Sequence, residues 1–256
     1  MPNQTSTTGA VIYQGPSALD GAPIVAIVTG LTGRSKNPKT GPLAQLWILR
    51  ADMSPLDAIK TGHDVSICGD CRHRGDGTGR QRGCYVSVKN APLAVWRAYH
   101  AGRYRRLAAR TIARRLAARG LGIRVGAYGD GAALPRGIVR DVVEGIQHTG
   151  YTHAWRTLCP QDWPWLMASV DTPDEQQTAR RAGWRTFRVR RADESLRSRE
   201  IVCPASEEGG KRTTCAACVL CDGSAPGDAR ASIAIIAHGI GTASYVSTRA
   251  LLDARA

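Results

Sequence analysis

The residues in this chain best suited to chemistry are its eight cysteines, and seven of them fall into two spaced groups. The second group, "CPASEEGGKRTTCAACVLC", sets Cys203, Cys215, Cys218 and Cys221 in the order C-x11-C-x2-C-x2-C. Four thiolates enclose either a tetrahedral zinc ion or an iron–sulfur cluster. Zinc sites usually combine two separate C-x2-C pairs. A C-x2-C-x2-C run with a remote cysteine followed by proline is more typical of a [4Fe–4S] cluster, and Pro204 follows Cys203. The first group is "ICGDCRHRGDGTGRQRGCYV", which spaces Cys68, Cys71 and Cys84 as C-x2-C-x12-C. Three thiolates leave one position to fill. His73 would complete a Cys3His zinc site, and Cys159 would complete an all-thiolate one. A position left open on an iron would instead admit a substrate or a cofactor.

Other side chains are candidates for the chemistry around such centres. Asp130, Asp171 and Glu175 have the acidity for proton transfer or for orienting an amine. Asp171 has a structural reading too, as the N-cap of a helix beginning Thr172-Pro173. Arg156, Arg188 and Arg190 suit an anionic substrate, with Arg188 reading better as surface charge. His238 follows an apolar run and precedes Gly239, so it suits either a cavity mouth or the core. The candidates for catalysis are thus Asp130, Arg156 and His238. Trp155, Trp163, Trp165 and Trp184 read as core. "GRSKNPKTG" lacks the spacing of a phosphate-binding loop, and "GDGTGR" reads as a loop between cysteines. H-E-x-x-H and G-x-S-x-G are both absent.

These residues need elements to position them. The strand candidates are "PIVAIVTGL", "LAQLWIL", "DVSIC" (64–68), "IRVGAYG" (123–129), "YTHAWR" (151–156), "LMASVD" (166–171), "RTFRVR" (185–190), "EIVCPA" (200–205) and "SIAIIAHG" (232–239). Helical or irregular segments alternate with them from Asp64 onward. That rhythm predicts an α/β fold with a mostly parallel sheet, open or curled into a barrel. In such sheets functional groups gather at the carboxyl ends of strands. Those ends here are Cys68, Tyr128-Gly129-Asp130, Arg156, Asp171, Arg190, Cys203 and His238. Residues 1–22 read as a flexible lead and residues 23–256 as one domain, with the 203–221 cysteine segment inside it.

The chain has 256 residues, a net charge of +14 and a sequence pI near 9.9. Only five of its 35 basic residues are lysine. So strong a bias toward arginine fits either a polyanionic partner or a GC-rich genome. Arginines crowd residues 97–119, where Trp96, Tyr99, Tyr104, Leu107, Ile112 and Leu116 recur near helical spacing. This predicts one amphipathic helix, or two parted near Gly102. Its arginine face, with Arg105, Arg106, Arg114 and Arg115, is a candidate nucleic-acid contact. No window is apolar enough to span a membrane, and the first residues do not resemble a secretion signal. The expected compartment is cytoplasmic, where cysteines bind metal more often than they form disulfides.

Several segments taken together resemble a known group. They are "ICGDCRHR", "GCYV", "APLAVWRAYHAGRY", "AYGDGAALP", "TGYTHAWR", "LMASVDTPDE", "AGWRTFRV", "EIVCPASEEGG", "CAACVLC" and "IAIIAHG". They resemble a family of uncharacterised phage and mobile-element proteins, similar to the gene-product-88 group of phage proteins and more distantly to radical SAM barrels. The resemblance covers about residues 40–240. It implies a partial (β/α) barrel with a cysteine-rich C-terminal metal-binding segment. Cys84-Tyr85 resembles the Cys–aromatic end of the radical SAM cluster loop. Tyr128, Gly129 and Asp130 stand like the glycine-rich motif that meets S-adenosylmethionine. The chain departs from the pattern in its stretched C-x2-C-x12-C loop, where the family has C-x3-C-x2-C. It also lacks the doubled glycine and Glu-Pro after the second strand, so a cluster without S-adenosylmethionine stays open as an outcome. The expectation is an iron–sulfur protein with one or two clusters, acting on an unknown substrate. The alternative is a zinc-stabilised nucleic-acid-binding protein.

Overall fold

The structure is a computed structural model that describes residues 8–33, 35, 37–75, 77, 82–239 and 241–253. It begins with an antiparallel meander of β1 (Gly9–Pro16), β2 (Pro23–Thr29) and β3 (Ala44–Arg50). The run Ile24–Val28 in β2 is wholly buried, because both faces of this central strand are covered. Residues 9–16 form β1 and are not part of a flexible lead. The alternation of this strand is hidden by the buried run Ala10–Ile12.

Three short helices and an edge strand follow: α1 (Pro55–Lys60), α2 (Val65–Cys68), α3 (Ala91–His100) and β4 (Arg105–Arg106). "DVSIC" is therefore a helical turn rather than a strand. Cys68 N–H bonds to the Asp64 carbonyl at 2.9 Å, and Gly69 at φ +58° ends the turn. The arginine-rich segment divides at Gly102, whose φ is +66°. α3 precedes the break and α4 (Ala109–Ala117) follows it, with β4 between. Arg105 and Arg106 thus lie on a strand and not on the basic helix. α4 buries Ala109, Ile112, Ala113 and Leu116, an i, i+3, i+4, i+7 stripe, and leaves its arginines outside.

From here strands and helices alternate. β5 (Ile123–Tyr128) leads through a 3-10 turn at Gly131–Ala133 to α5 (Arg136–Val143). β6 (His148–Thr149) and β7 (Tyr151–Thr152) are separated by Gly150 alone. "YTHAWR" is a strand only at its first two residues, since Ala154–Arg156 turn as 3-10 helix. β8 (Met167–Val170), α6 (Pro173–Arg181), β9 (Thr186–Arg190), β10 (Glu200–Val202), α7 (Cys215–Cys218), β11 (Ser232–Ile236) and α8 (Thr242–Asp253) complete the order.

The strands form two sheets, ordered β4-β1-β2-β3-β5-β6 and β10-β11-β9-β8-β7. Every pair is parallel except β1–β2 and β2–β3, so the fold is mixed α/β with mostly parallel sheets, as the alternation predicts. The two sheets meet at Gly150, whose N–H bonds to Cys221 O at 3.2 Å while its carbonyl accepts from Met167 N at 3.0 Å. A Cβ there would lie 2.6 Å from Leu166 Cδ2, so the Leu166 side chain would have to shift to admit any residue but glycine.

Arg188 in β9 is fully buried rather than at the surface. It makes two 2.8 Å bonds to the Glu200 carboxylate and one of 3.1 Å to Glu194. A charge this deep is tolerated only with such complete pairing. Among the described residues no helix is long and apolar enough to cross a membrane.

Candidate metal centre

A cavity of about 430 Å³ opens where the carboxyl ends of the parallel strands converge. All seven cysteines of the two groups line it, although 150 residues of sequence separate Cys68 from Cys218. Strand ends supply much of the remaining wall: Tyr128, Gly129 and Asp130 after β5, His153 after β7, Asp171 after β8, Cys203 after β10 and His238 after β11. The strand rhythm predicts this gathering for Asp130, Asp171, Cys203 and His238, whereas Arg156 and Arg190, at two further predicted ends, do not line the cavity and Cys68 arrives from a helical turn.

Local geometry explains how each group assembles. Cys68 ends α2, and Cys71 follows the Gly69 reversal. Cys84 returns because its N–H bonds to the His73 carbonyl at 2.9 Å. The His73 and Val86 amides stand against the Cys71 and Cys84 sulfurs, which favours their thiolates. In the second group, α7 sets Cys215 and Cys218 one turn apart. Val219, at φ 48°, then turns the chain so that Cys221 comes back. Cys203 is fixed by its amide bond to Ala234 O at 2.8 Å. Burial is the main force on these thiols. It pushes Cys71 and Cys221 up to about 12 and raises Cys68, Cys84 and Cys215, with neighbouring cysteines adding to the effect on Cys68, Cys215 and Cys221. Without a cation these five stay neutral thiols, and a metal must displace their protons.

Among the described residues, no three Cys, His, Asp or Glu side chains are drawn together tightly enough to hold a single metal ion. Of the two candidates for a fourth ligand to the first group, His73 lines the cavity: its Nε2 lies 2.9 Å from Asp171 Oδ2, its buried Nδ1 has no hydrogen-bond partner among the described residues, and its ring stacks on Tyr245 at 4.7 Å. Cys159 is exposed, contacts Gln161 and lies outside the cavity.

The acidic candidates are largely spent on structure. Asp130 is buried, and its carboxylate accepts from Ala132 N at 2.9 Å and His153 N at 2.7 Å. Burial pushes its pKa up in spite of these bonds. Burial pushes Asp171 the same way, but the His73 bond and charge, with His153 and Arg249, hold it below the ordinary carboxylate value. The N-cap of α6 is Thr172 rather than Asp171. Thr172 and Glu175 form a reciprocal capping box, and Glu175 also bonds the Asp171 amide at 2.8 Å. Arg156 lies outside the cavity, over the Trp155 ring and paired with Glu175 at 2.6 Å. Arg190 is buried and paired with Glu208. His238 sits at the mouth beside Lys39 Nζ, 2.9 Å away.

The cofactor-binding candidates Tyr128 and Gly129 line the cavity beside Asp130, as does Tyr151, which carries no sequence signal. Tyr128 is buried, and its hydroxyl has no hydrogen-bond partner. Burial raises its pKa well above the usual tyrosine value, as do Cys68, Asp64 and Cys84 nearby, so it stays a neutral donor facing the first group. The Tyr151 hydroxyl bonds to Cys221 in the second group and is likewise held neutral, chiefly by burial. Gly129, at φ +83°, brings the backbone so close that a Cβ would lie 2.8 Å from Ile48 O.

The arginine candidates lie elsewhere on the molecule. Arg105, Arg106, Arg114 and Arg115 are all exposed, on β4 and α4. Arg110, between them in sequence, is occupied by Asp141 and Glu144. No protein-family model, curated protein or solved structure matches the chain.

Proposed function

We propose that the chain is an iron–sulfur protein with a radical-SAM-like partial barrel. The observation that carries this reading is one cavity lined by both cysteine groups at the carboxyl ends of parallel strands. One feature supports a cluster over zinc: the C-x2-C-x2-C run with Pro204 after Cys203 is more typical of a four-iron cluster. The first group has three thiols with Cys159 outside the cavity, so its fourth position either opens toward the cavity or takes the unpartnered Nδ1 of His73. The orphaned Tyr128 hydroxyl offers a hydrogen bond to a bound thiolate or sulfide there.

Cys68, Cys71 and Cys84 would hold one cluster, and Cys203, Cys215, Cys218 and Cys221 a second. A cluster with an open iron supplies single electrons and a coordination position for S-adenosylmethionine. The chain's own residues bind and orient. Tyr128, Gly129 and Asp130 form the wall beside the open position, and the apolar side chains Phe187, Val189, Ile233 and Ile235 exclude water. The phage or mobile-element origin belongs to the same reading and rests on the sequence resemblance, and the cytoplasmic compartment rests on a first segment unlike a secretion signal.

Anaerobic purification with iron and sulfide counting tests the reading. A brown protein with both elements supports it, and 5′-deoxyadenosine formed with dithionite and S-adenosylmethionine extends it to an enzyme. A colourless protein with stoichiometric zinc overturns it. The second reading, a zinc-stabilised nucleic-acid binder, is favoured by the exposed Arg114 and Arg115 on α4 beside Arg105 and Arg106 on β4.

A further inference from the structure

Two cations line the cavity beside the four-cysteine group without a carboxylate to balance them. Lys39 Nζ lies 2.9 Å from His238 Nε2, and Arg124 donates to the Tyr85 hydroxyl. Among the described residues neither forms an ion pair with Asp or Glu. His238 Nδ1 sits 2.9 Å from the Ile236 carbonyl, which can only accept, so Nδ1 carries the hydrogen. Nε2 then accepts from Lys39 Nζ and holds it at the cavity wall, which leaves the other N–H bonds of that lysine for the cavity. The same lysine's carbonyl accepts from Cys215 N at 2.9 Å, so the cation and α7 are fixed by one turn of loop. Arg124 projects from β5 and is held from the other side by Tyr85 of the first cysteine loop.

Four thiolates around a core of charge two plus leave two negative charges. Buried charge of that size is costly unless balanced nearby. We propose that Lys39 and Arg124 are the counter-charge of the four-cysteine centre, one cation for each surplus negative charge. The proposal rests on the metal-binding reading above. It is local: the three-cysteine group leaves a single negative charge, and its nearest arginine, Arg82, bonds instead to the Cys84 and Val86 carbonyls.

The test compares Lys39→Met and Arg124→Gln with the charge-keeping Lys39→Arg and Arg124→Lys. Each is made in the full chain and also with Cys71→Ser, to silence the first centre. Metal retention is followed against a chelator, and the reduced fraction of the second centre is read by electron paramagnetic resonance at fixed potentials. The neutral variants should lose metal from the second centre about 10–100-fold more readily and require a more negative potential for its reduction. The first centre should be unchanged, and the charge-keeping variants should restore the second. Circular dichroism of the metal-free variants separates this from misfolding. Neutral variants that hold and reduce the second centre like wild type overturn the proposal, as does equal loss from both centres. A wild-type chain that takes up no metal overturns the metal-binding reading and this proposal together, so the two failures are distinguishable.

Discussion

His73 and Asp171 are 98 positions apart in the chain and meet through a 2.9 Å contact between Nε2 and Oδ2, both side chains buried. That contact ties the loop between Cys71 and Cys84 to the carboxyl end of β8. α8 reinforces it: Tyr245 stacks on His73 and bonds Val189 O at 2.7 Å, while Arg249 bonds Asp171 O and Glu194. The first cysteine group is thus held by a clasp made of three remote segments.

The clasp should be sensitive to acid. The fold holds the Asp171 carboxyl below its ordinary value, so its stabilisation is complete above that value and is lost as pH falls toward the folded one. In chemical denaturation at stepped pH below about 4, wild type should lose stability that Asp171→Asn never had. Asp171→Ala, which leaves His73 Nε2 buried and unpaired, should cost about 1–3 kcal/mol at neutral pH.

Gly129 should not tolerate a side chain. At φ +83°, with Ile48 Cβ and Ile48 O both 2.8 Å from an added Cβ, Gly129→Ala combines backbone strain with a clash. A destabilisation of about 1–3 kcal/mol in urea denaturation is expected. Gly145→Ala makes the comparison, because its φ of +71° is similar but nothing stands within 4 Å of an added Cβ. It should cost less.

The cysteines should sort into three classes. Serine at Cys68, Cys71 or Cys84 should remove the metal of one centre, and serine at Cys203, Cys215, Cys218 or Cys221 that of the other. Cys159→Ser should change neither, since Cys159 is exposed and outside the cavity. Metal and sulfide content per chain, measured without air, checks all three.

Nucleic-acid binding driven by the exposed arginines should weaken as salt rises. Neutralising Arg114 and Arg115 should flatten the plot of log affinity against log salt by about 0.9 for each duplex-DNA phosphate that the chain no longer neutralises. Arg110→Gln should alter the slope less, because Asp141 and Glu144 already occupy that guanidinium. Fluorescence anisotropy at several salt concentrations measures the slopes.

The parallel rhythm and the convergence of strand ends were readable because they follow from periodicity and from a rule of α/β geometry. The two cysteine groups were readable from spacing. Their meeting followed from the strand-end rule for Cys203 but not for Cys68, which arrives on a helical turn, and the joining of two sheets at Gly150 left no sign in "HTGYTH". "DVSIC" misled because five residues are too few to tell a strand from a turn of helix. β1 was missed because its buried run is flanked by polar and turn-forming residues. Arg188 read as surface because Glu194 and Glu200 are matched to it only in three dimensions. The clasp of His73, Asp171 and Tyr245 left no trace in spacing at all.

The position of α8 has a consequence in time as well as in space. Its first turn lends Thr242 and Tyr245 to the cavity wall. Synthesis runs from the amino end, so all seven cavity cysteines emerge from the ribosome before the helix that closes over them. β11 also follows Cys221 and pairs with both β9 and β10, so the growing chain holds all seven cysteines before either of the last two walls of the cavity exists.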